Sequence, residues 1–355
     1  MIIYYYVSGH GFGHISRTSV ILKKLLERPE ISKIHLVSTR IGFIDWHHPK
    51  LIKRELGLDV GVYQKDSLSI DIQKTKDALQ IFERSKNSFL TSEALYCRQH
   101  QVDLIITDAG SFPIVLALEA ELPSIFIGNF TWDFVYENYG KVDPYFFEIS
   151  EILKAEYSFA TEALFLPFTC PMPTFLESST VGMVGRKPHL AKAEARELYG
   201  FSKDITYILI SFGAYGLSGF EMRWDNLPKH IKLVASGVPG IDLSKVVTPI
   251  GGYYPDLVRA SDYVLTKPGY GIMSEVFYAE TPVIYTDRGD FSEYPFLVDV
   301  LQKKFPSSYI THHQISNCSF EDSISNIQMG LGSKKLLDIE PDGEDTIIKH
   351  ILEYT

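Results

Sequence analysis

The chain has 355 residues and a mass of 40.3 kDa, too long for one small domain and right for two of ordinary size. Its 45% apolar and 22% charged residues, with a mean hydropathy near zero, exclude a disordered or fibrous chain. Thirty-four Lys and Arg against 44 Asp and Glu give a net charge of −10. That balance excludes a bulk nucleic-acid binder, which needs a basic footprint, but leaves room for a local cationic pocket.

The predicted elements alternate along the chain. Short runs rich in Ile, Val, Leu, Tyr and Phe predict strands at 2–7, 34–38, 103–107 and 124–127, and again at 207–212, 231–235, 262–266 and 282–286. Continuous apolar runs of this kind suit parallel strands buried on both faces. Amphipathic stretches predict helices at 16–27, 76–99, 112–121, 145–157, 191–199, 271–280, 292–303 and 344–354. Strand–helix alternation predicts a doubly wound α/β architecture. It breaks at 165–190, where LPFTCPMPTF carries three prolines, and a new glycine-bearing pattern starts near 205. We therefore expect a domain over 1–165, a linker over 166–190, a second domain over 191–340 and a terminal helix over 341–355. Whether that helix returns to the first domain is left open by the sequence. No run reaches the roughly 18 apolar residues of a membrane span, and the N-terminus lacks a basic n-region and cleavage site. Cys97, Cys170 and Cys318 are odd in number, far apart and free of any CxxC pair. They read as reduced thiols of a cytoplasmic protein. The sequons at Asn129 and Asn317 then carry no glycosylation meaning.

Three stretches carry chemistry. The first strand runs into SGHGFGHISR, with Gly9, Gly11 and Gly13 interleaved with His10 and His14. In open α/β sheets ligands bind at such strand ends, and small residues let them approach the backbone. The acid expected about 20 residues on in a dinucleotide fold is missing, which disfavours NAD. The two histidines read either as part of a tight turn or as candidate bases, since imidazole titrates near neutral pH. In VDLIITDAGSFP, Asp108 ends a buried strand. It can orient a histidine, as the acid of a triad does, or cap the helix that follows.

The third stretch, TKPGYGIMSEVFYAETPVIYTDRGDFSEYPF, spans 266–296. Lys267, Pro268, Gly269, Tyr270 and Gly271 form a turn into a helix, whose start favours an anion. Glu275 lies where a carboxylate can accept from two vicinal hydroxyls, or simply favour the helix start. Asp287, Arg288, Asp290 and Glu293 form a polar cluster at the next strand end, either a solvated loop or a set of partners for sugar hydroxyls.

Lys267, Gly269, Tyr270, Glu275 and Pro282 resemble, in order and spacing, the donor-binding signature of GT-B nucleotide-sugar glycosyltransferases. In that signature the position of Lys267 is usually a histidine near the diphosphate, and that of Glu275 holds the ribose hydroxyls. The His14 loop resembles the N-terminal loop of the same enzymes, the MurG-like ones included. Asp108 resembles the acid that partners the catalytic histidine in plant-type members. YYVSGHGFGHISR, VDLIITDAG, NFTWDFVYENY, YYPDLVRASDYVLTKPGYGIMSE and DFSEYPFL resemble, in the same order, the glycosyltransferase-like N-terminal region of plant L-arabinokinases. The likeness covers about residues 4–300. No counterpart of the sugar-kinase domain that follows in those proteins is expected in 355 residues.

The resemblance implies a GT-B fold, two Rossmann-like, doubly wound parallel-sheet domains facing across a cleft. The first would take the acceptor and the second the nucleotide sugar. It implies His14 as base, Asp108 as its orienting acid and His10 in reserve, with Gly11 and Gly13 of the same loop among the donor-binding residues. Lys267, Gly269, Tyr270 and the helix start at Gly271 would meet the diphosphate and Glu275 the ribose. Tyr253 stands in for the tryptophan that stacks on the base. The acid–glutamine pair that contacts the sugar is absent, so Asp290 or Glu293, beside Arg288, would substitute. Retaining members carry a glutamate at the position of Lys267, so the inverting class is implied. No DxD motif occurs, so neither an essential metal nor another cofactor is expected; the nucleotide sugar is a co-substrate.

The expected function is metal-independent transfer from a UDP-sugar to a hydroxyl of a carbohydrate, lipid or small molecule. The alternatives are a nucleotide-sugar 2-epimerase and a non-catalytic nucleotide-sugar sensor. Ser211 and Gly213 either touch the diphosphate through backbone N–H groups or form an ordinary turn. Arg186 reads as solvated rather than phosphate-bound. The aromatics of 130–148 read as core or as an acceptor pocket. Residues 40–54 read as a surface loop, with peripheral contact to an anionic membrane as the alternative. His312 and His313 read as surface residues.

Overall fold

A computed structural model describes residues 1–66, 69–213, 216, 220–236, 241–330 and 339–355. The chain packs as two units. One holds Met1–Tyr63, Asp71–Val184 and Ile339–Thr355; the other holds Gln64–Ile70 and Gly185–Asp338.

The first unit runs β1 (Ile2–Val7), α1 (Gly13–Leu26), β2 (Lys33–Val37), β3 (Leu51–Arg54), α2 (Ile72–Gln99), β4 (Leu104–Asp108), α3 (Phe112–Ala120) and β5 (Ser124–Gly128). It continues through α4 (Trp132–Tyr139), α5 (Tyr145–Tyr157), β6 (Glu162–Phe165) and β7 (Ser178–Thr180). Its sheet is seven-stranded, in the order β3-β2-β1-β4-β5-β6-β7. Every strand pair in it is parallel. The continuous apolar strand β1 lies at its centre, with Tyr5 opposite Leu36 on one side and Ile106 on the other. Ile3, Tyr5, Val7, Leu36 and Ile106 join Leu22 and Leu25 of α1 in one buried core.

The second unit runs α6 (Lys192–Leu198), β8 (Thr206–Ser211), β9 (Ile231–Ala235), α7 (Tyr254–Ala260), β10 (Tyr263–Thr266), α8 (Tyr270–Ala279) and β11 (Val283–Tyr285). Then follow α9 (Tyr294–Lys304), β12 (Ser307–Tyr309), α10 (His312–Ser316) and α11 (Glu321–Gly330). Its five strands are parallel in the order β12-β11-β10-β8-β9. Ile208, Ile210, Leu233, Leu265, Ile284 and Phe320 are among its core residues. The last helix, α12 (Gly343–Leu352), belongs to the first unit, where Ile347, Ile348 and Ile351 enter the core beside α1.

Both sheets are doubly wound. The strand order reverses between β1 and β4 in one and between β8 and β10 in the other, and crevices at strand C-termini open at such points.

Residues 40–54 are in part the surface loop expected of them, with Arg40, Asp45 and His47 exposed. The stretch also holds a short 3₁₀ turn and the edge strand β3, which pairs with β2. In that strand Arg54 turns inward: it makes a forked pair with buried Glu93 at 2.6 and 2.9 Å and lies 3.6 Å over the Tyr96 ring. The proline-rich stretch likewise includes an edge strand, β7, with Ser178 opposite Ala163.

Candidate functional site

The helix α1 starts at Gly13, directly after a loop whose Gly11 has φ +74°, a backbone conformation that favours glycine. His14, Arg17 and Thr18 therefore share one face of the first turns, at i, i+3 and i+4. That face meets the end of β4. His14 Nδ1 lies 2.7 Å from Asp108 Oδ1. Arg17 grips the same carboxylate, Nε donating to Oδ2 at 2.7 Å and Nη2 to Oδ1, and Thr18 donates to Oδ2 at 3.2 Å. Asp108 is wholly buried, and His14 and Arg17 are 7% exposed. Burial alone would push the Asp108 carboxyl up; the Arg17 charge and then His14 outweigh it and hold the group down at about 2. The carboxylate is thus ionised at every ordinary pH, and an ionised Asp108 selects the His14 tautomer with hydrogen on Nδ1. Arg17 also donates to Asn129 Oδ1, and Asn129 donates to the Pro167 carbonyl at 2.6 Å. The residue after Asp108, Ala109, has φ +71°; its carbonyl is fixed by the buried Tyr157 hydroxyl at 2.6 Å.

His10 is held differently. Its Nδ1 accepts from the Val62 amide at 3.3 Å, and its ring meets Trp132 edge to face at 5.2 Å. The aromatic run after β5 forms a wall here: Phe130 lies 5.8 Å from the His14 ring and 5.1 Å from Trp132. Trp132 stacks on Tyr136 at 5.9 Å, and its indole N–H donates to Asp59 at 3.1 Å. Phe130, Trp132 and Tyr136 are buried, so they serve packing first.

In the second unit, β10 ends at Thr266, whose hydroxyl donates to the Ser211 carbonyl at 2.6 Å and so ties the ends of β8 and β10 together. Lys267 and Pro268 follow, Gly269 caps α8, and Tyr270 and Gly271 open it. Burial, and after it the nearby Arg288 guanidinium, push the Lys267 ammonium down to about 7. Arg288 donates to the Pro268 carbonyl at 3.1 Å and pairs with Glu293 at 3.0 Å. Both side chains are largely buried, and among the described residues Arg288 Nε and Glu293 Oε2 have no hydrogen-bond partner. Asp290 is exposed, and Asp287 accepts from the hydroxyls of Tyr294 and Tyr309.

Glu275 is buried, and burial pushes its carboxyl up while Arg186 pulls the other way. Arg186 is not solvated: its Nε donates to Glu275 Oε1 at 3.1 Å, and Nη2 reaches the same oxygen. The guanidinium carbon lies 6.0 Å from the Tyr253 ring centre. His189 stacks flat on Tyr253 at 4.3 Å with planes 7° apart. Asp256 fixes that stack, accepting from the His189 amide at 2.6 Å and the Leu190 amide at 3.0 Å. Ser211 accepts from the Tyr254 hydroxyl at 2.9 Å, and Gly213 has φ +68°.

The structure thus brings His14 and Asp108 together, and separately Lys267, Arg288 and Glu293, and Glu275 with Tyr253. Arg17, Asn129, Arg186 and His189 had no assigned part in these groups. Arg17 had a signal in its three-residue spacing from His14. Arg186 and Glu275 are 89 residues apart and had none. Among the described residues, no three His, Cys, Asp or Glu side chains come together as a metal would need, and no helix is long and apolar enough to cross a membrane.

No family model matches the chain. It is 28% identical over 310 residues to L-arabinokinase of Arabidopsis thaliana, an alignment that covers 85% of this chain and 30% of that protein. This chain therefore spans less than a third of that relative. Among solved structures, the kitacinnamycin glycotransferase superposes with a TM-score of 0.67 at 12% identity, covering 99% of this chain and 98% of that one. Arabidopsis thaliana UGT89C1, solved with quercetin, gives 0.66 at 13% identity, with 99% of each chain covered. Acinetobacter baumannii MurG gives 0.63 at 11% identity, again with 99% of each covered. The fold of this chain is the GT-B fold of those glycosyltransferases, two parallel-sheet α/β units.

Proposed function

We propose that the chain binds a nucleoside diphosphate sugar on its second unit and transfers the sugar, with inversion, to an acceptor hydroxyl. The observation that carries this reading is the 2.7 Å contact of His14 with a buried, ionised Asp108 at the strand-order reversal of the first sheet. Its Nδ1 committed to Asp108, His14 offers Nε2 to take the acceptor proton. The acceptor oxygen then bonds to the anomeric carbon as the bond to the diphosphate breaks. Lys267 and the start of α8 would stabilise the leaving diphosphate without a metal. Glu275 would accept from the ribose hydroxyls, Tyr253 and His189 would stack on the base, and Arg288 Nε and Glu293 Oε2 would supply a donor and an acceptor for sugar hydroxyls. Solved neighbours of the same fold include a UGT89C1 complex with UDP, which supports a uridine donor.

A second reading, a nucleotide-sugar sensor, is favoured by the Arg186–Glu275 pair, which occupies the ribose-binding acid. The relative named L-arabinokinase, far longer than this chain, supports an association with sugar metabolism without assigning a kinase step to these residues.

The test is a thermal-shift panel of UDP, dTDP, GDP, ADP and their sugars, followed by product analysis with and without acceptors. At about 100 times its dissociation constant, a ligand stabilises the fold by ~2.7 kcal/mol. The transferase reading expects stabilisation by one nucleotide, its loss in Glu275→Ala, and turnover that collapses in His14→Ala and Asp108→Ala. Binding without turnover, tolerant of His14→Ala, would favour the sensor, and an altered sugar without acceptor the epimerase.

A further inference from the structure

We propose that Arg17 is a positioning residue that keeps His14 in its neutral, proton-accepting form by taking up the charge of Asp108. The proposal rests on the reading of His14 as a base, but its principal test needs no substrate.

A buried carboxylate beside a lone imidazole draws a proton onto that imidazole, because the pair is then neutral overall and each charge is compensated. An imidazole already protonated cannot accept a proton. Here the carboxylate is compensated by another group. Arg17 holds both oxygens of Asp108 through Nε and Nη2, and its guanidinium is charged at all relevant pH. Its third nitrogen, Nη1, donates to Asn129 Oδ1, whose amide is anchored on the Pro167 carbonyl. Arg17 is therefore fixed from β4 and from the segment after β5, and is 7% exposed.

Arg17 Nη2 lies 3.2 Å from His14 Nδ1. A protonated His14 would set a second cation there, against one anion and away from water. The groups facing the imidazole are Asp108 from β4, Arg17 from its own helix and the Phe130 ring edge at 5.8 Å from the segment after β5. Thr18 and Asn129 bond to the carboxylate and guanidinium, and the buried Tyr5 hydroxyl, kept protonated by its burial, also faces them. With one fixed cation and one anion, the cluster is neutral when His14 is neutral. Asp108 still orients the ring through Nδ1–H, and the proton that Nε2 takes up is readily released again.

The experiment uses the full chain, labelled with ¹⁵N-histidine, in the wild type and in Arg17→Met, Arg17→Lys and Asn129→Asp. The His14 signals are assigned by their loss in His14→Gln. In the wild type and Arg17→Lys, the ring nitrogens should report the neutral Nδ1–H tautomer at pH 7. In Arg17→Met the midpoint of His14 protonation should move to higher pH by about one unit or more. Asn129→Asp, which adds a carboxylate against Nη1 and keeps the arginine, should move it the same way by less. Once a donor and acceptor are in hand, the acid limb of kcat/KM should shift with the midpoint, activity returning at alkaline pH. An unchanged or lowered midpoint in a folded Arg17→Met overturns the proposal. Should Arg17→Met fail to fold, an unmoved midpoint in Asn129→Asp does so instead. An absence of any turnover would sink the reading of His14 as a base while leaving the midpoints to decide the role of Arg17.

Discussion

At the scale of single residues, charge compensation decides what each group can do. Lys267 stands at the end of β10 with its ammonium pushed down to about 7, by burial first and by Arg288 second, with Asp66 and Glu293 acting the other way. In the unfolded chain the amine regains its usual value of 10.5. Between these two values the unfolded state holds a proton the folded state has lost, so this residue makes stability rise with pH across that window. A diphosphate placed beside Lys267 reverses the balance and favours the ammonium. Binding of UDP at pH 8 should therefore take up close to one proton. Calorimetry in two buffers of different ionisation enthalpy reads that uptake directly. In Lys267→Met the uptake should vanish and the affinity should stop falling between pH 7 and 9; uptake that persists in the variant would assign the proton elsewhere. His14, Asp108 and Lys267 were legible as candidates because each follows a strongly apolar strand. Arg17 was not, because its importance depends on a carboxylate 91 residues away.

At the scale of elements, legibility followed apolar content. The central strands β1, β4, β8 and β10 are continuous apolar runs, and their places were read closely. The edge strands β7 and β12 are only Ser178–Thr180 and Ser307–Tyr309, with almost no apolar signal, and β3 was hidden among basic residues. Such strands are specified by the sheet they join rather than by their own composition. The placing of α12 was equally unreadable, since amphipathicity shows that a helix has a buried face and not what covers it. The structure answers that with backbone contacts: Met183 donates to the Glu340 carbonyl at 2.7 Å and Gly343 to the Met183 carbonyl at 2.9 Å. A Cβ on Gly343 would sit 2.0 Å from the Gly182 carbonyl oxygen, so the crossing of these segments demands glycine. Lys24 on α1 then pairs with Glu344 at 3.1 Å and Asp345 at 2.8 Å. We expect Ile347→Ala to destabilise the first unit by about 2–5 kcal/mol, as large-to-small core changes do. Urea denaturation in a Trp224→Phe background, where Trp46 and Trp132 report on that unit, measures it. Ile81→Ala, at a 64% exposed position, is the control and should stay within about 0.5 kcal/mol. Equal effects of the two would show that α12 contributes little to the core.

At the scale of the whole molecule, the division of labour follows from which residues each unit contains. The side chains assigned to the nucleotide, from Arg186 and His189 through Tyr253 and Lys267 to Glu275 and Glu293, belong to the second unit, whereas Gly11 and Gly13, also expected to meet the donor, belong to the first. The His14, Arg17, Asp108 and Asn129 cluster belongs wholly to the first. Each unit has its own parallel sheet and its own buried core, so a ligand held by one can stabilise it without acting on the other. The net charge of −10 adds a constraint, because an acidic molecule repels a nucleotide everywhere except where cations are concentrated. Lys267 and Arg288 follow the adjacent strands β10 and β11 of the second sheet, Arg288 paired with Glu293 and Arg186 with Glu275, so a bound diphosphate would share cations that carboxylates already balance. UDP alone should therefore slow amide exchange in peptides covering 186–190, 253–260 and 266–276. Peptides covering 8–18 and 104–110 should exchange at their unliganded rates. In Glu275→Ala the protection should disappear from all three second-unit regions at the same nucleotide concentration. Protection spreading into the His14 loop with UDP alone would mean that the nucleotide is held by both units, and the assignment of the donor to the second unit would fail. Protection in neither unit would leave the polar cluster at Lys267 a structural device, with its buried cations balanced by Glu293 rather than by phosphate.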